Sequence, residues 1–334
     1  MDADSKPLHV LISIQQRVPQ WQIPEESARA LAARLPDVRF TYARRPEERA
    51  AALPEAEVAY TWTMTRDELA RAGRLRWVHT SAVAVETLCL PDLAERGVRV
   101  SNTRGVQAVP IAEHVLAVIL ALAKQIPFTL ENQQRQQWAQ FEYREARLPW
   151  LLRGRTLGLV GVGTIGQAIA VRAAAFGMRV VALRRIADGD PPPGVAAVFS
   201  RERLGEMLGT CDALAIAAPL TPDTHGLIDR SALAALKPGA VVVNVGRSPI
   251  LDTDGLVDAL RSGHLAGASL DVFPEEPLPA GHPLWTAPNV ILTPHTSGFR
   301  QGHWDEVIDV FVENLRRYRA GEPLLFEVDP RLGY

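Results

Sequence analysis

The strongest constraint on the fold is a glycine-rich stretch in the middle of the chain, "GVGTIGQAIAVRAAAFGM" (161–178), which follows the apolar run "TLGLV" (156–160). A strand, a G-x-G-x-x-G loop and a helix in this order are typical of dinucleotide-binding α/β domains. In such a loop Gly161 permits the tight turn, Gly163 lets a pyrophosphate approach the backbone, and Gly166 lets helix and strand pack closely. The chain is therefore predicted to contain a dinucleotide-binding domain.

The same stretch predicts which groups bind the cofactor. The helix begins near Thr164 and Ile165, and its free N-terminal amides are expected to hold the phosphates. The next apolar run ends on Arg184 and Arg185, where NAD-binding domains usually carry an acid for the ribose hydroxyls. The arginine side chain has only hydrogen-bond donors, so it cannot accept bonds from ribose hydroxyls. Its planar guanidinium can instead donate paired hydrogen bonds to a 2′-phosphate. We predict that NADP(H) is preferred and that NAD(H) is possible; the alternative is a solvated arginine pair.

Apolar runs alternate with helix-compatible stretches on both sides of this loop, as parallel sheets covered by helices require. The second half has nearly continuous hydrophobic runs, which are typical of strands buried on both faces. Strands are predicted over 8–14, 38–43, 58–62, 75–80, 97–102, 156–161, 178–183, 213–219, 240–246, 267–272 and 289–294. Helices are predicted over 24–35, 66–73, 106–125 and 305–321, besides the one after the glycine loop.

A fingerprint that begins mid-chain indicates an inserted domain, and 334 residues are enough for two domains. We predict the α/β class with two doubly wound parallel-sheet domains. A Rossmann cofactor domain (104–299) would be inserted into a flavodoxin-like substrate domain (1–103 plus 300–334). The apolar helix over 106–125 would cross from one domain to the other, and a cleft between two such domains is a natural ligand site.

Composition excludes several function classes. The net charge of −2 offers no general attraction to nucleic acid or to an anionic membrane, and the longest apolar run (115–123) is too short to span a bilayer. The N-terminus has no signal-peptide pattern. Cys89 and Cys211 have no CxxC partner, and the histidines show no metal-ligand spacing. We expect a cytoplasmic protein without a metal, a nucleic-acid partner or a membrane.

Three further segments place polar side chains directly after predicted strands. They are "NVGRSPILD" with Arg247, "DVFPEEPLP" with Glu275 and Glu276, and "LTPHTSG" with His295. In parallel sheets, ligands bind at the carboxyl ends of the strands, where the glycine loop also lies. We interpret these residues as a catalytic group. The plain structural alternatives are an exposed loop cation for Arg247 and a turn-capping acid for Glu276.

These motifs together resemble the D-isomer-specific 2-hydroxyacid dehydrogenase family. The resemblance rests on the glycine stretch and on "PLTPDTHGLID", "LKPGAVVVNVGRSPILD", "LAGASLDVFPEEPLP" and "PNVILTPHTSG", which follow the family order through most of residues 100–300. The first hundred residues match only loosely. The arginines at 184 and 185 make the chain most similar in type to NADP-preferring glyoxylate/hydroxypyruvate reductases.

The resemblance implies a role for each member of the group. His295 would be the general acid that protonates the carbonyl oxygen during reduction, which suits a side chain that titrates near neutral pH. Glu276, which directly precedes Pro277 as the family glutamate does, would pair with His295 and favour the imidazolium form. Arg247 would hold the substrate carboxylate and polarise the carbonyl.

Further cofactor contacts are implied in the same way. Asp271 would touch the nicotinamide end, and the backbone of Val245 and Gly246 would line that pocket. Pro219, the last residue of the predicted strand over 213–219, completes the expected cofactor-binding residues.

One loop departs from the family pattern. Members usually have a glycine-containing loop after the strand at 75–80, whose amides hold the substrate carboxylate. Here the loop is "TSAVAVETL" (80–88), with Val83 and Ala84 at that place. A β-branched residue resists positive φ, so either the loop manages without glycine or the substrate binds differently.

Two function classes follow. The first is an NAD(P)-dependent reductase of a small 2-keto acid, or dehydrogenase of the matching 2-hydroxy acid, acting as a homodimer in which Trp138 or Trp150 could reach across. The second is a non-enzymatic, nucleotide-regulated corepressor-like protein, since such proteins keep similar residues. Formate dehydrogenases of this fold pair their histidine with glutamine, so Glu276 argues against formate; phosphite oxidation stays open.

Overall fold

A computed structural model of the chain describes residues 7–143, 148–185, 189–331 and 333. The chain divides into two compact units. Unit 1 comprises Met1–Gln107 and Phe299–Tyr334, and unit 2 comprises Ala108–Gly298. Unit 2 is thus inserted into the sequence of unit 1.

Unit 1 contains a five-stranded parallel sheet. With elements numbered along the chain, its strands are β1 (His9–Ser13), β2 (Arg39–Tyr42), β3 (Val58–Thr61), β4 (Trp77–His79) and β5 (Arg99–Ser101). Its helices are α1 (Glu25–Arg34), α2 (Pro46–Ala52), α3 (Arg66–Arg71), α4 (Leu90–Glu95) and α11 (His303–Ala320). The strand order β2-β1-β3-β4-β5 is the flavodoxin-like order.

The long helix α11 covers one face of this sheet. The Phe311 ring stacks on Tyr60 of β3 and on Trp77 of β4, with centroids 4.4 and 5.4 Å apart. After α11 the chain returns to β5, where the amide of Val328 donates to the carbonyl of Val100 (2.9 Å). The C-terminal segment therefore belongs to the core of unit 1.

Unit 2 contains a seven-stranded parallel sheet. Its strands are β6 (Thr156–Val160), β7 (Arg179–Leu183), β8 (Ala197–Phe199), β9 (Ala213–Ile216), β10 (Ala240–Asn244), β11 (Leu265–Leu270) and β12 (Val290–Leu292). Its helices are α5 (Ala108–Ala123), α6 (Ile126–Gln134), α7 (Thr164–Ala175), α8 (Leu204–Gly209), α9 (Arg230–Ala235) and α10 (Thr253–Arg261). The order β12-β11-β10-β9-β6-β7-β8 is that of a Rossmann sheet with an added edge strand.

Helices cover both faces of this second sheet. Val243 of β10 packs in the cluster with α5 and α7, whereas its neighbour Val242 packs in the opposite cluster with α8, α9 and α10. Successive strand side chains point to opposite faces, so both faces need apolar residues. The predicted α/β class with two doubly wound parallel sheets is confirmed, and every predicted strand is present; β8 is an additional strand.

Helix α5, predicted to be too apolar for an open surface, has nine buried residues. Across the described ranges, no single helix is both long and apolar enough to span a membrane, although the bent pair α5 and α6, 67° apart, meets those two criteria jointly.

Candidate active site at the carboxyl edge of the unit 2 sheet

The three glycines after β6 are required for different reasons. Gly161 has a φ of +96°, and a Cβ there would lie 2.8 Å from Ala218 Cα. A Cβ on Gly166 would lie 2.2 Å from the Gly161 carbonyl oxygen, so α7 packs tightly on the loop. A Cβ on Gly163 would meet nothing within 4 Å. Its open side fits a ligand pressed against the backbone, and the N-terminus of α7 offers amides without intrahelical acceptors.

Arg184 and Arg185 follow β7 at the same edge and are exposed. The Arg184 amide donates to the Phe199 carbonyl at the end of β8 (3.1 Å). This contact holds the arginine backbone at the carboxyl end of the sheet, one strand away from the glycine loop.

The turn that carries Arg247 is held by Asn244, the last residue of β10. Asn244 Oδ1 accepts from the Gly246 amide (3.0 Å), and Asn244 Nδ2 donates to the Arg247 carbonyl (3.2 Å). Gly246 itself lies so close to the preceding strand end that a Cβ would be 2.8 Å from the Ala218 carbonyl oxygen. Arg247 is half-buried on a turn that cannot easily move. Sequence reasoning missed Asn244, although a polar residue closing the run "AVVVN" was the available signal.

Glu276 and His295 form a direct pair. Glu276 Oε2 lies 2.8 Å from His295 Nδ1, and Oε1 accepts from the Phe273 amide (3.0 Å). Burial raises the pKa of Glu276, but the hydrogen bonds from His295 and Phe273 and the charges of His295 and Arg247 outweigh it and hold that pKa below its usual value. A carboxylate only accepts, so Nδ1 carries a proton and Nε2 is left for chemistry.

The His295 loop is anchored by Asp271, which directly follows β11. Asp271 Oδ1 accepts from the Thr293 hydroxyl (2.6 Å) and the Thr296 amide (2.9 Å), and Oδ2 accepts from the amide (3.1 Å) and the hydroxyl of Ser297. These bonds bracket His295, whose φ is +55°. Asp271 is 1% exposed. Its visible role is to fix the backbone that orients the histidine, and its predicted cofactor contact stays a prediction.

The remaining predicted cofactor residues lie on neighbouring strand ends. Val245 is buried after β10, and Pro219 is exposed after β9, where its carbonyl accepts from the Thr224 hydroxyl (2.7 Å). Within the described ranges, no three His, Cys, Asp or Glu side chains are grouped as metal ligands.

The glycine-free loop of unit 1 keeps an ordinary backbone. Neither Val83 nor Ala84 has a positive φ. The loop is tied to the segment after β5, because Asn102 Nδ2 donates to the Val83 carbonyl and the Thr103 hydroxyl donates to the Ser81 carbonyl, both at 2.7 Å. This conformation therefore has no need of glycine.

Comparison with known proteins decides the family. The model of the D-isomer specific 2-hydroxyacid dehydrogenase, NAD binding domain, matches residues 116–297. The chain belongs to the D-isomer-specific 2-hydroxyacid dehydrogenase family. It is therefore an NAD(P)-dependent oxidoreductase of the 2-hydroxyacid dehydrogenase type, and its predicted family and enzyme class are confirmed.

Individual relatives of this dehydrogenase carry several activity names. It is 36% identical to a glyoxylate reductase of Aeropyrum pernix over 279 residues, which cover 80% of this chain and 81% of the relative. It is 35% identical over 277 residues to a D-3-phosphoglycerate dehydrogenase of Mycobacterium bovis, covering 81% of this chain but 51% of that protein, so the chain spans about half its length. A similar solved structure is that of a D-isomer specific 2-hydroxyacid dehydrogenase from Xanthobacter autotrophicus Py2 in complex with NADPH and MES. Its sequence is 32% identical to this chain, and the TM-score is 0.82 over 99% of this chain and 100% of that one.

Proposed function

We propose that this dehydrogenase is an NADP(H)-preferring reductase of small 2-keto acids of the glyoxylate/hydroxypyruvate type. The observation that carries the proposal is the 2.8 Å contact between Glu276 and His295, which leaves one imidazole nitrogen free to exchange a proton. The name of the Aeropyrum pernix relative, glyoxylate reductase, supports the substrate class.

Each residue of the group has a distinct task in this proposal. A bound nicotinamide supplies the hydride for reduction. His295 donates the Nε2 proton to the carbonyl oxygen, and Glu276 stabilises the imidazolium before the transfer. Arg247 binds the substrate carboxylate and polarises the carbonyl through charge-assisted hydrogen bonds. In the reverse direction His295 acts as the base.

Cofactor binding is proposed at the glycine loop and its neighbours. Gly161, Gly163 and Gly166 with the α7 amides of Thr164 and Ile165 would hold the pyrophosphate. The exposed Arg184 and Arg185 would bind the 2′-phosphate, for which the NADPH complex of the Xanthobacter relative is a precedent. The nicotinamide end would be contacted by Pro219, Val245, Gly246 and Asp271.

We also propose that unit 2 binds the cofactor and that unit 1 takes part in substrate binding through its loop 80–88. The amides of Val83 and Ala84 have no acceptor in the described part of the chain, and they would bind the substrate carboxylate.

A homodimer is the proposed assembly. The segment after α6 exposes large apolar side chains, with Trp138 83%, Phe141 85% and Leu151 67% exposed. Several large apolar side chains exposed in one segment are typical of an interaction surface. The commonest partner for such a surface is a second copy of the same chain. Both cysteines are free, which is consistent with the reducing cytoplasm as the proposed location.

A substrate screen tests the proposed function. NADPH oxidation is measured with glyoxylate, hydroxypyruvate, pyruvate and bulkier 2-keto acids, and again with NADH. The highest kcat/KM is expected for glyoxylate or hydroxypyruvate with NADPH. Absence of turnover with every keto acid and both cofactors, in protein that still binds NADPH, would overturn the proposal in favour of a nucleotide-regulated binding protein.

A further inference from the structure

Unit 1 has a cavity of its own, of about 380 Å³. It lies at the carboxyl ends of the central strands, bordered by Ser13 at the end of β1 and Gln15 just after it, and by Trp62 and Thr63 after β3. In the strand order of unit 1 the chain runs from β1 outward to β2 and then to β3 on the other side. The crevice between β1 and β3 is thus the topological switch point, where open α/β sheets bind ligands.

One lining residue, Arg49, is held in place by several hydrogen bonds. Arg49 Nη1 contacts the hydroxyls of Thr61 (2.6 Å) and Ser13 (3.3 Å), and Nη2 donates to the Thr63 carbonyl (2.5 Å). Its guanidinium also pairs with Glu68, with Nε 2.7 Å from Oε1 and Nη2 3.0 Å from Oε2. Arg49 ties together the ends of β1 and β3 and the start of α3, so the cavity walls are preorganised.

The lining is strongly positive. Four arginines border the cavity, namely Arg44, Arg45, Arg49 and Arg71, against one carboxylate, Glu68. Arg44 and Arg45 each pair with a carboxylate outside the lining, and both pairs are exposed: Arg44 contacts Glu25 at 2.9 Å, and Arg45 contacts Glu48 at 2.6 Å. Exposed pairs of this kind contribute only about 0–1 kcal/mol, so a ligand anion can replace these carboxylates at little cost.

We propose that this cavity, which is lined by unit 1 alone, binds a small organic anion carrying a phosphate or carboxylate group. All lining residues belong to unit 1, and none belongs to the loop 80–88. The volume is within the range of roughly 300–1,000 Å³ that is typical of small-molecule sites. Pro46 and Leu53 provide an apolar wall for a short carbon skeleton, and Arg44 and Arg71 provide exposed cations for the charged group.

Calorimetric titration tests the site. Inorganic phosphate and malonate are titrated separately, at constant ionic strength, into the full chain and into three variants. The double variant Arg44→Gln/Arg71→Gln removes two exposed cations of the cavity. Arg74→Gln controls for the loss of an exposed positive charge elsewhere in the unit, because Arg74 is an exposed arginine that precedes β4 at the amino edge of the same sheet. Arg247→Ala removes the side chain of unit 2 that is proposed to bind the substrate carboxylate.

The double variant is expected to weaken binding of at least one probe by about tenfold or more, as the loss of charge-assisted bonds predicts. Arg74→Gln and Arg247→Ala should bind that probe as the wild type does. Preference for phosphate over malonate, or the reverse, identifies the ligand source. Unchanged affinity in the double variant, loss of binding in Arg247→Ala, or no binding of either probe at millimolar concentration would overturn the site. None of these results depends on keto-acid turnover, so this proposal and the reductase proposal fail separately.

Discussion

The two units bury their polar groups in different places. In unit 1 they meet in the middle of the core: Ser101 Oγ lies 2.7 Å from His79 Nδ1 and accepts from Trp77 Nε1 at 2.9 Å, beneath α11. In unit 2 the buried polar residues Asn244 and Asp271 lie at strand ends and bind the backbone of the loops that follow. Unit 1 thus uses polar groups to hold its layers together, whereas unit 2 uses them to fix the loops that carry its chemistry.

Two histidines show what this difference means. His79 is completely buried, and burial lowers its pKa to about 3. The His295 side chain is 47% exposed and faces a carboxylate. The same side chain is therefore a neutral structural group in one sheet and a candidate proton donor at the edge of the other. Variants of unit 2 edge residues should change turnover, and variants of the unit 1 core should change stability.

The largest expected effect is on catalysis. His295→Asn should lower kcat/KM for keto-acid reduction roughly 10²–10⁴-fold, the contribution of a general acid. The dissociation constant for NADPH, measured by fluorescence titration, should stay close to that of the wild type. His225→Asn, an exposed histidine of the same unit, is the control and should keep full activity. Turnover in His295→Asn within a few fold of the wild type would contradict the assigned role.

Two glycines of the loop after β6 are expected to have different functions: Gly163 allows a ligand to approach the backbone, and Gly166 allows α7 to pack on the loop. Gly163→Ala should leave the melting temperature unchanged, because its Cβ meets nothing, yet weaken NADPH binding by roughly 100-fold through lost pyrophosphate contacts. Gly166→Ala should instead lower the melting temperature, because its Cβ would strike the Gly161 carbonyl. Calorimetry and NADPH titration of both variants check this. Equal stability in the two variants, or wild-type affinity in Gly163→Ala, would break the distinction.

Acid should destabilise unit 1 through its buried histidine. The unfolded chain binds a proton at His79 below about pH 6.5, while the folded chain does so only near pH 3, so the unfolding free energy falls as the pH drops between these values. His79→Phe should reduce the loss of stability between pH 7.5 and pH 5.0 by about 2 kcal/mol, measured by urea unfolding. An unchanged pH dependence would show that His79 takes up its proton without opening the core.

The smallest expected effect concerns cofactor choice. Arg184→Asp should lower the ratio of NADP(H) to NAD(H) efficiency by about tenfold or more, because a charge-assisted phosphate contact is replaced by an acid that suits ribose hydroxyls. Arg179→Asp, at the amino end of the same strand, is the matched control. An unchanged ratio in Arg184→Asp would mean that the 2′-phosphate is bound elsewhere.

Much of the fold could be predicted because parallel strands buried on both faces leave a continuous signal, as "AVVVN" and "TLGLV" do. β8 was missed because it has only three residues, two of them half-buried, directly after a proline-rich loop. The short helices α2 and α4 carry no long apolar period of the kind on which sequence interpretation depends.

At the candidate site, the sequence motifs predicted which residue types follow which strands, but not how the loops are held. The anchoring of residues 293–297 by Asp271 and of the Arg247 turn by Asn244 depends on side chains folding back on local backbone, which no spacing pattern encodes. The glycine-free loop 80–88 is the opposite case, because the sequence predicted a difficulty that the backbone does not have. Val83 departs from the family pattern, yet its φ is not positive, so the loop conformation does not require glycine there.

The central claim is that Arg247 after β10 and His295 after β12, both at the carboxyl edge of the unit 2 sheet, act on one 2-keto acid beside a bound nicotinamide. The most direct test is a crystal structure of the full chain with NADP⁺ and oxamate, a non-reducible keto-acid mimic. The account predicts the oxamate carboxylate at the Arg247 guanidinium, the adjacent carbonyl oxygen within hydrogen-bonding distance of His295 Nε2, and Glu276 still paired with Nδ1. Oxamate bound away from both side chains, with the nicotinamide in place, would contradict it.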